Sequence, residues 1–208
     1  MAQIRNIIFD LGHVILNIDP MPMVEAFSQL GAPDAETAFK EACTNGLIDA
    51  HAKGALPAAE FESRFQKLLN IQVPSPDFEA AFNRMLLDIP QERLELLALL
   101  KEKYRLFLLS NTNPIHLPYI QRYLKTLIGC GFEKYFEGEY YSHLIKLLKP
   151  DPASYKYVIK MNKLVPTETV FVDDALENIE SAKKIGLQVI HISENMPFEK
   201  AAHGLLSL

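Results

Sequence analysis

Cysteine is scarce in this 208-residue chain. Cys43 and Cys130 stand far apart and no CxxC occurs, which argues against both a disulfide framework and a thiolate zinc site. Both read as packed or incidental thiols of a reducing compartment. An excess of basic charge is also missing: 21 Lys and Arg face 26 Asp and Glu, and the basic residues are scattered. No nucleic-acid partner is therefore expected. No apolar run is long enough to span a bilayer, so no membrane partner is expected either. The first strand is expected so near Met1 that a signal peptide does not fit, and a cytoplasmic location follows as the expectation. The GxGxxG of dinucleotide sites, the GK[ST] of P-loops and the GxSxG of serine hydrolases are all absent. So are internal repeats and low-complexity segments.

What is present begins with Ile7-Ile8-Phe9-Asp10-Leu11-Gly12-His13-Val14-Ile15-Leu16. Three apolar, β-favouring residues run into one carboxylate and a glycine, a pattern suited to a strand buried on both faces of a parallel sheet. Open α/β sheets place ligands at the carboxyl edge, where Asp10 would sit. Gly12 is expected to allow a sharp turn and a close backbone approach to a bound group. Alone, the pattern reads as an Asp capping an ordinary turn. It recurs twice downstream.

Val14–Ile18 is expected to form a short hairpin, after which Pro20 and Pro22 punctuate the chain. From there to Ile89 nearly everything reads as helix. Phe61, Phe65, Leu68 and Leu69 share one helical face, as do Phe78, Phe82, Met85 and Leu86, and Pro57, Pro74 and Pro76 mark helix starts. These stripes read as packing. Residues 18–89 thus form an expected all-helical module inserted into a core of residues 1–17 and 90–208. In that core a helix from Gln91 precedes a strand ending in Ser110-Asn111-Thr112-Asn113, and a helix spans 116–127. A short strand is expected at 139–142, then Lys149-Pro150 leads into a helix. Thr169–Val172 is a strand ending in Asp173-Asp174, followed by a helix that stops at Gly186. Leu187–Ile192 is the last strand, and a short C-terminal helix is expected. Alternating strands and helices of these lengths predict an α/β fold: a Rossmann-like parallel sheet with helices on both faces, joined by right-handed crossovers.

In such a sheet Asp10, Ser110-Asn111-Thr112 and Asp173-Asp174 meet at one edge, with Lys149 entering from a nearby loop. Carboxylates at contact distance repel unless a cation lies between them. A hard divalent ion with oxygen ligands, most simply Mg²⁺, resolves that conflict. Lys149 with donors from Ser110 and Asn111 then suits a phosphate or carboxylate, and one carboxylate can act as a covalent nucleophile.

Order and spacing resemble the haloacid dehalogenase superfamily along the entire chain. The resemblance rests on Asp10-Leu11-Gly12-His13-Val14, Leu108-Leu109-Ser110-Asn111, Lys149-Pro150 and Asp173-Asp174 with Asn178, and on a helical insertion similar to the family's C1 cap. The wording FDLGHVILNID, LLSNTN, KPD and FVDDALENIE is most similar to the bacterial α-D-glucose-1-phosphate phosphatase group. The resemblance implies an Mg²⁺-dependent phosphatase of small phosphate monoesters. Asp10 would form an aspartyl-phosphate and ligate the metal together with the Gly12 carbonyl and Asp174. Ser110, Asn111 and Lys149 would hold the phosphoryl oxygens. Asp173 would support the site or serve as an alternative ligand. The cap resemblance places Lys53 and His51, in an expected polar turn at 49–54, against the substrate.

One departure matters. The superfamily's phosphatases usually carry an acid/base Asp two residues after the nucleophile, and Gly12 stands there. Such a group contributes about 10²–10⁴ in rate. Substrates with good leaving groups, such as anomeric sugar phosphates or acyl phosphates, are the first expectation, and His13 is an alternative proton donor. A dehalogenase, a phosphonate hydrolase or a non-catalytic phosphate sensor remain as rivals.

Overall fold

The computed structural model describes residues 3–207. Its centre is a five-stranded parallel sheet: β1 (Asn6–Phe9), β2 (Arg105–Ser110), β3 (Gly138–Tyr141), β4 (Thr169–Asp173) and β5 (Gln188–His191), in the order β3-β2-β1-β4-β5. Strand β1 lies in the middle because all four of its residues are apolar or satisfied and none reaches solvent. Successive side chains point to opposite faces. Ile7, Phe9, Leu106, Leu108, Val170 and Val172 join one buried cluster, while Ile8, Phe107, Leu109 and Phe171 join another.

Helices cover both faces. On the first pack α6 (Gln91–Lys101), α7 (His116–Ile128) and α11 (Phe198–Leu206), through residues such as Leu97, Leu124 and Leu205. On the second pack α9 (Pro152–Asn162) and α10 (Leu176–Lys184), through Tyr155, Val158, Ile179 and Ala182. Gly186, at φ +89°, takes the left-handed turn after α10, a conformation that costs glycine little. Asp151 caps α9 by accepting from the Ala153 N–H at 2.9 Å.

The insertion consists of α1 (Met21–Gln29), α2 (Ala35–Thr44), α3 (Leu47–Ala52), α4 (Ala58–Leu69) and α5 (Ser75–Phe82). Its interior is a separate cluster in which Phe27, Phe61, Phe65, Phe78 and Phe82 are almost wholly buried. Ring centroids lie 5.2–6.3 Å apart in tilted and edge-on pairs, with Phe78 and Phe82 stacked at 5.9 Å, arrangements favoured by the ring quadrupoles. The short helix α8 (Ser142–Ile145) follows β3 directly.

Val14–Ile18 forms no hairpin of its own, against the expectation. Residues 11–16 close into a tight loop, with the Ile15 and Leu16 N–H groups both donating to Leu11 O at 2.8 Å. Residues 17–19 then pair with 85–88 instead: Asn17 N to Asp88 O at 2.9 Å, Leu87 N to Asn17 O at 3.0 Å and Asp19 N to Met85 O at 3.0 Å. The two connections between cap and sheet therefore run side by side. Among the described residues, no helix is long and apolar enough to cross a membrane.

Candidate active site

Strand register brings the polar residues together. Phe9 pairs with Leu108 on one side and Val172 on the other, so Asp10 emerges level with Leu109 and Asp173. The Asp10 N–H donates to Val172 O at 2.9 Å, which fixes its backbone. The order of connections reverses at β1, and ligands of open parallel sheets bind at such a reversal.

Lys149 Nζ lies 2.6 Å from Asp10 Oδ1 and 2.7 Å from Asp173 Oδ2. Its backbone is clipped by the Asn111 side chain: Asn111 Nδ2 donates to Lys149 O at 2.8 Å, and Lys149 N donates to Asn111 Oδ1 at 3.0 Å. The Asn111 amide is thus structural. Asp173 is held from the other side, by the Ala175 N–H at 2.8 Å and by Asn178 Nδ2, which reaches both carboxylate oxygens at 2.9 and 3.1 Å. Asn178 is where the family resemblance often has an acid. Here it orients one.

Burial pushes the Asp10 carboxyl up to about 7, and Asp173 adds to the rise against the pull of Lys149. Burial and Asp173 also raise Asp174. Burial alone would lower Lys149, but the flanking Asp10 and Asp173 carboxylates hold it above its ordinary value. Oxygens of Asp10, Asp173 and Asp174 lie within 4.8 Å of one another. Three carboxylates around one ammonium leave an excess of two negative charges. The donor set is all oxygen, so charge and chemistry both fit a hard divalent cation such as Mg²⁺.

Asp10, Gly12, Ser110, Asn111 and Asp174 line a cavity of about 220 Å³ beneath the cap, with Lys149 and Asp173 outside its lining. That volume lies below the range of pockets for drug-sized ligands, so it suits only a compact molecule. Gly12 does not take a positive φ; His13 does, at φ +54°. A Cβ on Gly12 would come within 2.7 Å of Ile18 Cδ1, so the tip of an apolar side chain from the head of the cap would have to turn aside for an acid/base residue there. His13 is exposed at the cavity mouth.

The cap positions differ from expectation. His51 and Lys53 do not line the cavity. Residues 49–52 are the end of α3, not a polar turn, and His51 is 1% exposed with its ring stacked 4.0 Å from Phe61. Its Nδ1 faces Leu56 O at 3.2 Å. An imidazole can join an aromatic core as readily as a binding loop, and spacing does not separate the two. The cap lines the cavity with Phe39, Ile48, Ala52 and Phe82 instead. Thr112, Asn113 and His116, given no role from sequence, line it from the core side. The run of polar residues after β2, continuing past Ser110-Asn111 to the start of α7, was the available signal.

The haloacid dehalogenase-like hydrolase family model matches residues 4–186. The chain is 30% identical over 186 residues to D-ribitol-5-phosphate phosphatase of Bacteroides thetaiotaomicron, covering 89% of this chain and 90% of that one. Among solved structures, a HAD-family enzyme of Bacteroides thetaiotaomicron in complex with magnesium and inorganic phosphate superposes with a TM-score of 0.85 at 33% identity, over 91% of this chain and 94% of that one. A HAD-like hydrolase of Porphyromonas gingivalis superposes with a TM-score of 0.87 at 27% identity over the whole of both chains. On the family match, the parallel sheet and the acidic pocket at its carboxyl edge, this chain belongs to the haloacid dehalogenase-like hydrolases.

Proposed function

We propose that this hydrolase is an Mg²⁺-dependent phosphatase of small phosphate monoesters that works through an aspartyl-phosphate on Asp10. The observation that carries the reading is Lys149 Nζ bridging Asp10 and Asp173 at 2.6 and 2.7 Å, beside a cavity into which Asp10, Ser110 and Asp174 face. Asp10, Asp174 and the Gly12 carbonyl would hold the metal, with Asp173 beside them. The bound ion would neutralise charge on the phosphoryl oxygens and on the crowded carboxylates.

The chain's own groups account for the rest. An Asp10 oxygen attacks phosphorus as the bond to the leaving oxygen breaks. Ser110 Oγ, the Asn111 backbone N–H and Lys149 hold the equatorial oxygens. Phosphoryl transfer depends mainly on such positioning and charge neutralisation. Water then attacks the same phosphorus, the bond to Asp10 breaks, and inorganic phosphate leaves. Lys149 pulls against the effect of burial on Asp10 and so favours the ionised form that a nucleophile requires.

With glycine at position 12, no carboxyl group protonates the leaving oxygen from that position. Turnover is then expected to favour leaving groups that depart as weak bases, such as the anomeric oxygen of glucose-1-phosphate. A phosphorylated sugar or polyol is also supported by the relative named for D-ribitol-5-phosphate. Phosphate release from a panel of sugar, polyol and acyl phosphates, with and without EDTA, tests the reading. Release should require the metal and fall by about 10³-fold or more in Asp10→Asn. Metal-independent release, or release unaffected by that substitution, would contradict it.

A further inference from the structure

Three polar side chains at the corner between β2 and α7 take no part in the chemistry above. Thr112, Asn113 and His116 are each more than nine-tenths buried, and all line the cavity. Their bonding leaves one polar atom free on each. Asn113 Oδ1 accepts from the N–H groups of Ile115 and His116, at 3.0 and 2.9 Å, so its Nδ2 is the unused end. Thr112 is fixed through its backbone, whose N–H donates to Ser142 Oγ at 3.0 Å, and its own hydroxyl has no partner among the described residues.

His116 is the most constrained. Its ring stacks on Phe82 of the cap, centroids 4.4 Å apart, and its Nδ1 lies 2.9 Å from Asn83 Oδ1. Asn83 Nδ2 donates to Glu79 O at 2.8 Å, so Oδ1 is the atom that faces the imidazole, and it can only accept. The proton therefore resides on His116 Nδ1. Burial lowers this imidazole to about 3, so it is neutral at physiological pH and Nε2 keeps a bare lone pair. An ionised phosphate or carboxylate cannot donate to that lone pair, whereas a hydroxyl can. The cap lines the same cavity with apolar side chains, among them Phe39, Ile48, Phe82 and Met85.

Resting on the phosphatase reading, we propose that Thr112, Asn113 and His116 form a hydroxyl-recognising edge of the leaving-group compartment. The substrate class is then a phosphorylated polyol or sugar with a hydroxyl that donates to His116 Nε2 and a carbon face that lies on the apolar cap wall. Asn113 Nδ2 supplies a donor and Thr112 a group that serves as either. A plain alkyl leaving group would desolvate these atoms without replacing their bonds, which is how a polar pocket rejects an apolar analogue.

The test compares the Mg²⁺-loaded protein with its His116→Phe and Thr112→Val variants on ribitol phosphate, glucose-1-phosphate, butyl phosphate and p-nitrophenyl phosphate. Thr112→Val is nearly isosteric and removes a hydroxyl without a protein partner, so it keeps the test informative should His116→Phe fold poorly. The expected result is a wild-type preference for a hydroxylated substrate over butyl phosphate. In each variant the ratio of kcat/KM for that substrate to that for p-nitrophenyl phosphate should fall about tenfold, mainly through KM. An unchanged ratio in both variants, or wild-type turnover of p-nitrophenyl phosphate without any preference for hydroxyls, overturns this proposal and leaves the phosphatase reading standing. Absence of metal-dependent turnover on every substrate overturns both.

Discussion

Lys149 is the residue on which the charge balance of the pocket turns. It is 2% exposed and sits between two carboxylates that would otherwise face each other uncompensated. Replacing it by Met should cost about 3 kcal/mol or more, since breaking a buried ion pair leaves bare charge behind. Burial already favours the protonated form of Asp10, so the loss should be smaller in mild acid than at alkaline pH. Urea unfolding at the two pH values measures this; an unchanged midpoint at alkaline pH would contradict it. Gly12 and Ile18 lead to a second prediction. Gly12→Asp alone meets Ile18 Cδ1, whereas Gly12→Asp with Ile18→Ala opens room for a carboxyl beside the leaving group. The double variant should raise kcat for poor leaving groups by up to about 10²-fold and flatten the dependence of kcat on leaving-group pKa. A slope as steep as that of the wild type would count against the explanation.

Between elements, aromatic rings run continuously from α3 to α7: His51 on Phe61, Phe61 near Phe82, and Phe82 on His116. Both end members are imidazoles that burial holds below their ordinary value, His116 to about 3. A proton taken up by the unfolded chain but refused by the fold weakens folding. Stability should therefore fall as pH drops from 6.5 towards 3, with His116 contributing across that window. His51 and the similarly lowered His143 add to the slope in its upper part. Chemical denaturation across this range should show a shallower slope in His116→Phe than in the wild type; identical slopes would refute the assignment. The periodicity of Phe61, Phe65, Phe78 and Phe82 was enough to read the cap as helix, because a 3.6-residue repeat reports burial directly. It could not say that His51 joins the same core. Polar residues around 49–54 look alike whether they cap a helix or bind a ligand.

At the scale of the whole molecule, polar bonds beyond the paired connections join cap and sheet core, among them that between His116 Nδ1 and Asn83 Oδ1. Ser142 Oγ donates to Ala52 O at 2.6 Å, at the end of α3, and Lys146 Nζ donates to Gly54 O at 2.7 Å. Ser142 Oγ also accepts the Thr112 N–H, so this one buried hydroxyl ties the cap to the loop that lines the cavity. Ser142→Ala should cost about 1–2 kcal/mol and raise KM more than it lowers kcat, as measured by thermal melts and steady-state kinetics. An equal fall in kcat with KM unchanged would argue for a direct part in the chemistry. The sheet and the meeting of residues 10, 110, 149 and 174 were legible because buried parallel strands leave continuous apolar runs, each broken at one edge by polar residues. The loop at 11–16 and the pairing of 17–19 with 85–88 were not, since both depend on backbone bonds that any side chain permits. The family resemblance already set Asp174 with the metal ligands and Asp173 beside them; the ion pair of Asp173 with Lys149 was not legible in the sequence. Adjacent residues leave a strand end in opposite directions, and here one meets Lys149 while the other meets the cavity. The central claim is that Asp10 receives the phosphoryl group, and peptide mass spectrometry of the Mg²⁺-loaded enzyme, acid-quenched during turnover of acetyl phosphate, tests it most directly. One phosphoryl adduct is expected on the peptide bearing Asp10, absent from Asp10→Asn; an adduct on another residue, or turnover with none at all, would contradict the assignment.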